Sequence, residues 1–201
     1  MKTNYVITIG RQLGSGGKAL GELLSQKLSI PCYDKELILM ASRESGLEQE
    51  LFEKADEKNN RSFLSFLLAG NHDVTGNYLS NEILFKIQSD VIKKIAEKES
   101  CVFVGRCADY ILRAHENLLS IFVSANLNDR IKIISKNNNI SASEAQNLIA
   151  QTDKKRAEYY NYFSNKTWGM ATSYDLCFNA SVVSIKKMAT FICEQINEKE
   201  I

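Results

Sequence analysis

The chain has 201 residues, with 25 Lys and Arg against 24 Asp and Glu, 44% apolar residues, one proline and five cysteines. At ~100–200 residues per domain the length accommodates one core, with residues 1–201 read as a single domain, and the composition excludes a disordered or fibrous chain. A net charge of +1 argues against general duplex binding, so no nucleic-acid partner is expected, and any anionic ligand must be met by local positive charge.

Cys32, Cys101, Cys107, Cys177 and Cys193 are odd in number, show no C-x-x-C spacing and have two histidines beside them. That argues against a disulfide scaffold or a zinc site, and no metal-ligating residues are assigned. The N-terminus lacks a basic flank followed by an apolar run, and no stretch approaches the ~18 apolar residues of a membrane span. The expected address is a reducing cytoplasm; monomer and homodimer fit the sequence equally.

Residues 5–9 (YVITI) are short and β-branched and run at once into glycines, a buried strand entering a tight turn. Leu20, Leu23, Leu24 and Leu28 then recur at helical spacing. A short extended piece at 30–33 precedes a helical stretch at 36–45, an acidic helical stretch at 48–57, an apolar helix at 62–69 and a loop at 70–77. The spacing of Leu79, Ile83, Leu84, Ile87, Val91, Ile92 and Ile95 predicts a long one-faced helix over 78–98.

Three more strands are predicted at 101–104, 118–123 and 174–178, with helices between them. Ser141-Ala-Ser-Glu144 is a capping-box pattern opening a helix that runs toward Arg156. The last predicted helix, 184–197, is amphipathic. Short apolar strands alternating with helices call for an α/β fold, a parallel sheet covered on both faces.

Gly10-Arg-Gln-Leu-Gly-Ser-Gly-Gly-Lys18 lies between the first strand and first helix, where glycines let consecutive N–H groups converge on phosphate oxygens. Val104-Gly-Arg-Cys-Ala-Asp-Tyr110 begins at the end of a strand, the sheet edge that faces ligands in open α/β folds. Arg106 there is suited to bidentate phosphate binding; pairing with Asp109 explains it equally well taken alone. Asp153 and Arg156 share a helix face, so Asp153 can accept from a sugar hydroxyl or orient Arg156, and Arg156 can neutralise a phosphoryl group in transfer. Asp34 is either a ligand acceptor or a helix N-cap. His72 and His115 read as surface residues. Trp168, Tyr159, Tyr160 and Tyr162 suit either stacking on a base or packing a lid against the body.

The segments ITIGRQLGSGGK, IPCYDKELI, VFVGRCADYIL, DKKRAEYYNYF and YDLCFNAS together resemble the cytidylate kinase-like family, a branch of the nucleoside monophosphate kinases. The resemblance implies a three-layer P-loop kinase fold with a five-stranded parallel sheet, an acceptor- and base-binding insertion at about 48–80 and a helical lid at about 153–170. It implies ATP and magnesium as cofactors and a small nucleotide as substrate. Arg11, Gly14, Ser15, Gly16, Gly17 and Lys18 would surround the ATP phosphates, with Lys18 and Arg156 catalytic. Asp34, Arg106 and Asp153 would hold the acceptor, Asp153 through its ribose.

The phosphate loop departs from that pattern. Arg11 stands where the first glycine falls, Gly17 where the lysine falls and Ala19 where the threonine that ligates magnesium falls, while Lys18 is displaced by one position. Cys107 follows Arg106 where cytidylate kinases often carry an acid. Either the cations are rearranged, with Lys18 or Arg11 substituting, or the chemistry is lost and the protein is a nucleotide-binding sensor. A kinase of a non-nucleotide metabolite is a further reading.

Overall fold

Five short strands organise the computed structural model, which describes residues 4–34 and 78–198. They are β1 (Val6–Arg11), β2 (Cys32–Tyr33), β3 (Cys101–Val104), β4 (Leu118–Ser124) and β5 (Leu176–Asn179). All pair in parallel, in the order β2-β3-β1-β4-β5, so each connection crosses a face of the sheet. Among the described residues the helices are α1 (Gly17–Leu28), α2 (Tyr78–Lys98), α3 (Ala108–Ile111), α4 (Leu127–Asn138), α5 (Ala142–Ser164) and α6 (Ile185–Glu198). A 3-10 turn, Ala171–Ser173, precedes β5.

Alternation along the strands sorts the core into two layers. Ile7, Ile9, Val102, Val104, Ile121 and Val123 pack with Leu20 and Leu24 of α1 and Met188 and Ile192 of α6. Val6, Cys101 and Phe103 face the other way, onto Val91 and Ile92 of α2 and Ala108 and Ile111 of α3. Fully burying one such aliphatic side chain is worth about 1.5–3 kcal/mol. This is the parallel sheet covered on both faces that the alternation of strands and helices calls for, with the five strands that the resemblance implies.

The periodicity at 78–98 and the apolar run at 101–104 correspond to α2 and β3. The capping box is formed: Ser141 Oγ accepts from the Glu144 N–H, and the Glu144 carboxylate accepts from the Ser141 N–H. The helix it opens continues past Arg156 to Ser164, so residues 153–164 ride on the same rigid element as the cap. The stretches expected at 36–45, 48–57 and 62–69, the loop at 70–77 and His72 lie outside the described residues. No helix among the described residues is long and apolar enough to cross a membrane.

The register places the site. The last β1–β3 pair is Ile9 with Val104, whereas β1 runs on beside β4 through Gly10 with Phe122 and Arg11 with Val123. The end of β1 therefore overhangs β3. The chain leaving β3 turns beneath it, with the Gly105 N–H donating to the Ile9 carbonyl at 3.0 Å.

Candidate phosphate-binding site

Two chain reversals meet at this edge. In the first, Gly14 and Gly16 take left-handed φ values of 78° and 85°, a region that L side chains avoid. Gly16 is the N-cap of α1 and makes no side-chain cap bond, so the first amides of the helix point out of the loop without an intrahelical acceptor. The loop is braced from behind. The Gln12 N–H donates to the Val123 carbonyl at 3.1 Å, the Gln12 Oε1 accepts from the Ala125 N–H at 3.1 Å, and Ser15 Oγ donates to the Gln12 carbonyl at 2.9 Å.

In the second reversal three successive residues, Gly105, Arg106 and Cys107, have φ values of 83°, 61° and 56°. For the two with side chains this conformation costs about 1–2 kcal/mol each. Such strain persists where the surroundings over-determine it, commonly at functional sites. Arg106 Nε donates to Gln88 Oε1 at 2.8 Å, Nη2 donates to the same oxygen, and the guanidinium lies 4.7 Å from the Tyr159 ring centroid. Asp109 instead accepts from Tyr160 Oη at 2.7 Å. The two acid–base neighbours of the motif are thus separated, and the pairing of Arg106 with Asp109 is not formed.

Arg156 reaches the same edge from α5, donating through Nη1 to the Arg11 carbonyl at 3.0 Å. Arg11, Arg106 and Arg156 form a cluster of like charges: burial foremost, then the Arg156 and Arg106 guanidiniums, lower the Arg11 pKa to about 9 against partial relief from Asp34 and Asp153. Burial also lowers the Arg156 pKa, with Asp153 opposing. An uncapped helix N-terminus facing concentrated positive charge fits a polyphosphate.

The family model described as the cytidylate kinase-like family matches residues 6–182. The chain belongs to the cytidylate kinase-like family. An uncharacterised protein from Eubacterium ventriosum is 26% identical, with 96% of this chain and 99% of that chain covered and a TM-score of 0.74. Shikimate kinase from Bacteroides thetaiotaomicron is 17% identical over 96% of this chain and 98% of that one, TM-score 0.52. The Mycobacterium tuberculosis APS kinase, solved with AMPPNP and APS, is 15% identical over 98% and 99%, TM-score 0.50. These likenesses show the P-loop kinase fold. Among curated proteins nothing matches.

Against the family's loop pattern, Lys18 does not turn inward. Its Nζ meets Asp34 Oδ2 at 2.9 Å, with the Lys18 side chain 63% exposed and Asp34 20%. Asp153, expected to meet the acceptor's ribose, has protein partners on both carboxylate oxygens. Its Oδ1 accepts from the Leu13 N–H at 2.8 Å and its Oδ2 accepts from Arg130 Nη1, which holds it behind the phosphate loop. Arg156 lies farther off, 4.0 Å from Asp153.

The residues present do not supply the fold's usual magnesium ligand. Ala19 has no hydroxyl, Ser15 is buried with its hydroxyl turned onto the Gln12 carbonyl, and no group of three or more potential metal-ligating His, Cys, Asp or Glu occurs among the described residues. All five cysteines are free. Burial pushes the Cys101 and Cys107 thiols up to about 12, so neither supplies a thiolate near neutrality.

Two site residues escaped sequence reading. Gln88 is fully buried, takes Arg106 on its Oε1 and leaves Nε2 without an acceptor among the described residues. Arg130 is buried on α4 and ties Asp153 to the loop, donating also to the Leu13 carbonyl at 3.4 Å. The signal for each was a polar residue on a buried helix face: Gln88 between Leu84 and Val91, Arg130 four residues before Ile134. The aromatics pack the α5 end onto the body: Phe85 stacks on Phe163 at 4.1 Å, Tyr160 on Tyr174 at 5.8 Å, and Trp168 meets Phe122 edge-on at 5.2 Å. His115 accepts through Nδ1 from the Asn117 N–H, a local turn contact.

Proposed function

We propose that the protein is an ATP-dependent phosphotransferase whose acceptor is a nucleoside monophosphate or a related small phosphorylated molecule. The observation that carries this reading is the clustering of three arginines beside the glycine loop: Arg156 donates to the Arg11 carbonyl, and the Arg11 side chain passes Gly17 at the α1 N-terminus and ends at Gly105, next to Arg106. ATP supplies the transferable phosphoryl group. The amides from Gly14 to Lys18 bind its phosphates. Arg106, oriented by Gln88 and Tyr159, binds the acceptor's phosphate. Arg156 supplies charge from α5, and the aromatic packing beneath it excludes water. Catalysis of phosphoryl transfer consists largely of such positioning and neutralisation.

A non-catalytic nucleotide sensor is favoured by one observation, the loss of the loop lysine and threonine at Gly17 and Ala19. Measuring ADP production from ATP over a panel of monophosphates and phosphorylated metabolites, beside ATP binding without acceptor, separates the two. Turnover with any acceptor establishes the transferase. Binding with no turnover across the panel establishes the sensor.

A further inference from the structure

The loop of this chain carries a glycine at the position from which its fold relatives' pattern projects a lysine, and the space is occupied from another direction. A Cβ placed on Gly17 would lie 2.4 Å from Arg11 Cβ and 3.0 Å from Arg11 Cγ. A Cβ placed on Gly105 would lie 2.1 Å from Arg11 Nη1 and 2.9 Å from Cζ. Real Cβ atoms do not come within 3.0 Å of another heavy atom, so the Arg11 side chain runs through room left by the missing side chains of residues 17 and 105; at 17 a side chain would meet its stem, at 105 only its flexible head. Its stem crosses the first turn of α1, and its head ends at the reversal that presents Arg106.

The guanidinium makes no hydrogen bond or ion pair among the described residues, although two further arginines stand beside it. Lys18, the other cation able to replace the missing lysine, is turned outward onto Asp34. We propose that Arg11 is the loop's phosphate-contacting cation, reaching from β1 to bridge the donor phosphates at the α1 N-terminus and the acceptor phosphate at Arg106. It does so in the place vacated by the side chain of residue 17. Lysine at 17 and arginine at 11 are then mutually exclusive solutions to one electrostatic problem. The planar, fork-shaped guanidinium suits a bridge between two phosphates better than a single ammonium does. Arg156, which grips the Arg11 carbonyl, becomes the residue that holds the strand end in register.

This inference rests on the phosphotransferase reading, and a binding measurement separates the two. Inorganic tripolyphosphate is titrated by calorimetry into the wild type, Arg11→Ala, Arg11→Gln, Lys18→Ala, Gly17→Lys and the double variant Arg11→Gly/Gly17→Lys, with a thermal melt of each. Loss of a charge-assisted contact predicts about 10-fold or greater weakening for Arg11→Ala and Arg11→Gln, and a smaller loss for Lys18→Ala. Gly17→Lys alone should melt lower than the wild type, because its stem collides with Arg11. The double variant should recover the melt relative to Gly17→Lys and tripolyphosphate affinity relative to Arg11→Ala.

Wild-type affinity in a well-folded Arg11→Gln, or a larger loss in Lys18→Ala, overturns the proposal. If the wild type binds tripolyphosphate through Arg11 but turns over no acceptor, the transferase reading falls and the Arg11 assignment stands. If phosphate is transferred equally well without Arg11, the reverse holds.

Discussion

The Arg156 guanidinium donates to the main-chain carbonyl of Arg11, 3.0 Å away and 145 positions earlier in the sequence. One bond thereby joins the middle of α5 to the overhanging end of β1. An arginine placed on a peptide oxygen keeps donors over for a ligand, so it can hold the strand end and face the phosphates together.

Replacing Arg156 by alanine removes both roles. Turnover should fall by about 10³-fold or more, the scale of a transition-state arginine, while ATP affinity changes far less. Arg156→Lys should recover little, since a lysine lacks the planar fork. Steady-state kinetics with a calorimetric ATP titration checks this; equal turnover in Arg156→Ala would remove the residue from the mechanism.

A second anchor lies behind the loop, where Asp153 takes the Leu13 N–H and Arg130. Both side chains are largely buried, at 14% and 9% exposure, and removing one partner strands the other's charge. Asp153→Ala or Arg130→Ala should therefore destabilise the fold by about 3–5 kcal/mol, read from the urea midpoint. Amide exchange at Leu13 should rise in Asp153→Ala. A residue engaged only with a ribose would leave the midpoint of the free protein unchanged.

The surface pair of Lys18 and Asp34 gives the opposite expectation. With Lys18 mostly in water, the pair is worth about 0–1 kcal/mol, and Lys18→Ala should shift the urea midpoint little. A shift as large as that of Arg130→Ala would show that Lys18 is part of the loop's internal support.

The periodic elements were legible because burial writes itself into spacing: α2 and β3 follow from one apolar face and one apolar run. The strand-to-helix glycine turn and the edge carrying Arg106 followed from the same patterns. Which cation faces inward did not. Lys18 and Arg11 are both near the loop in sequence, and only the absent side chains of Gly17 and Gly105 route one of them across the site. The bracing by Asp153 was not legible because its partners Leu13 and Arg130 come from other elements, and Gln88 pairs with Arg106 across a helix-to-strand connection.

Asp109 gives a pH signature of the packing beneath the site. Burial raises its pKa above the ordinary 3.8, against the opposing Tyr160 hydrogen bond, the Lys166 charge, and the N–H groups of Asp109 itself and Tyr110. The unfolded chain releases this proton near 3.8 and the folded chain only at higher pH. Between those points the folded state holds more protons, so stability falls as pH rises through the window. Asp109→Asn keeps an acceptor for Tyr160 and cannot ionise. Its melting temperature relative to wild type should climb as pH rises from about 4 to about 7; parallel curves would show that Asp109 does not carry this cost.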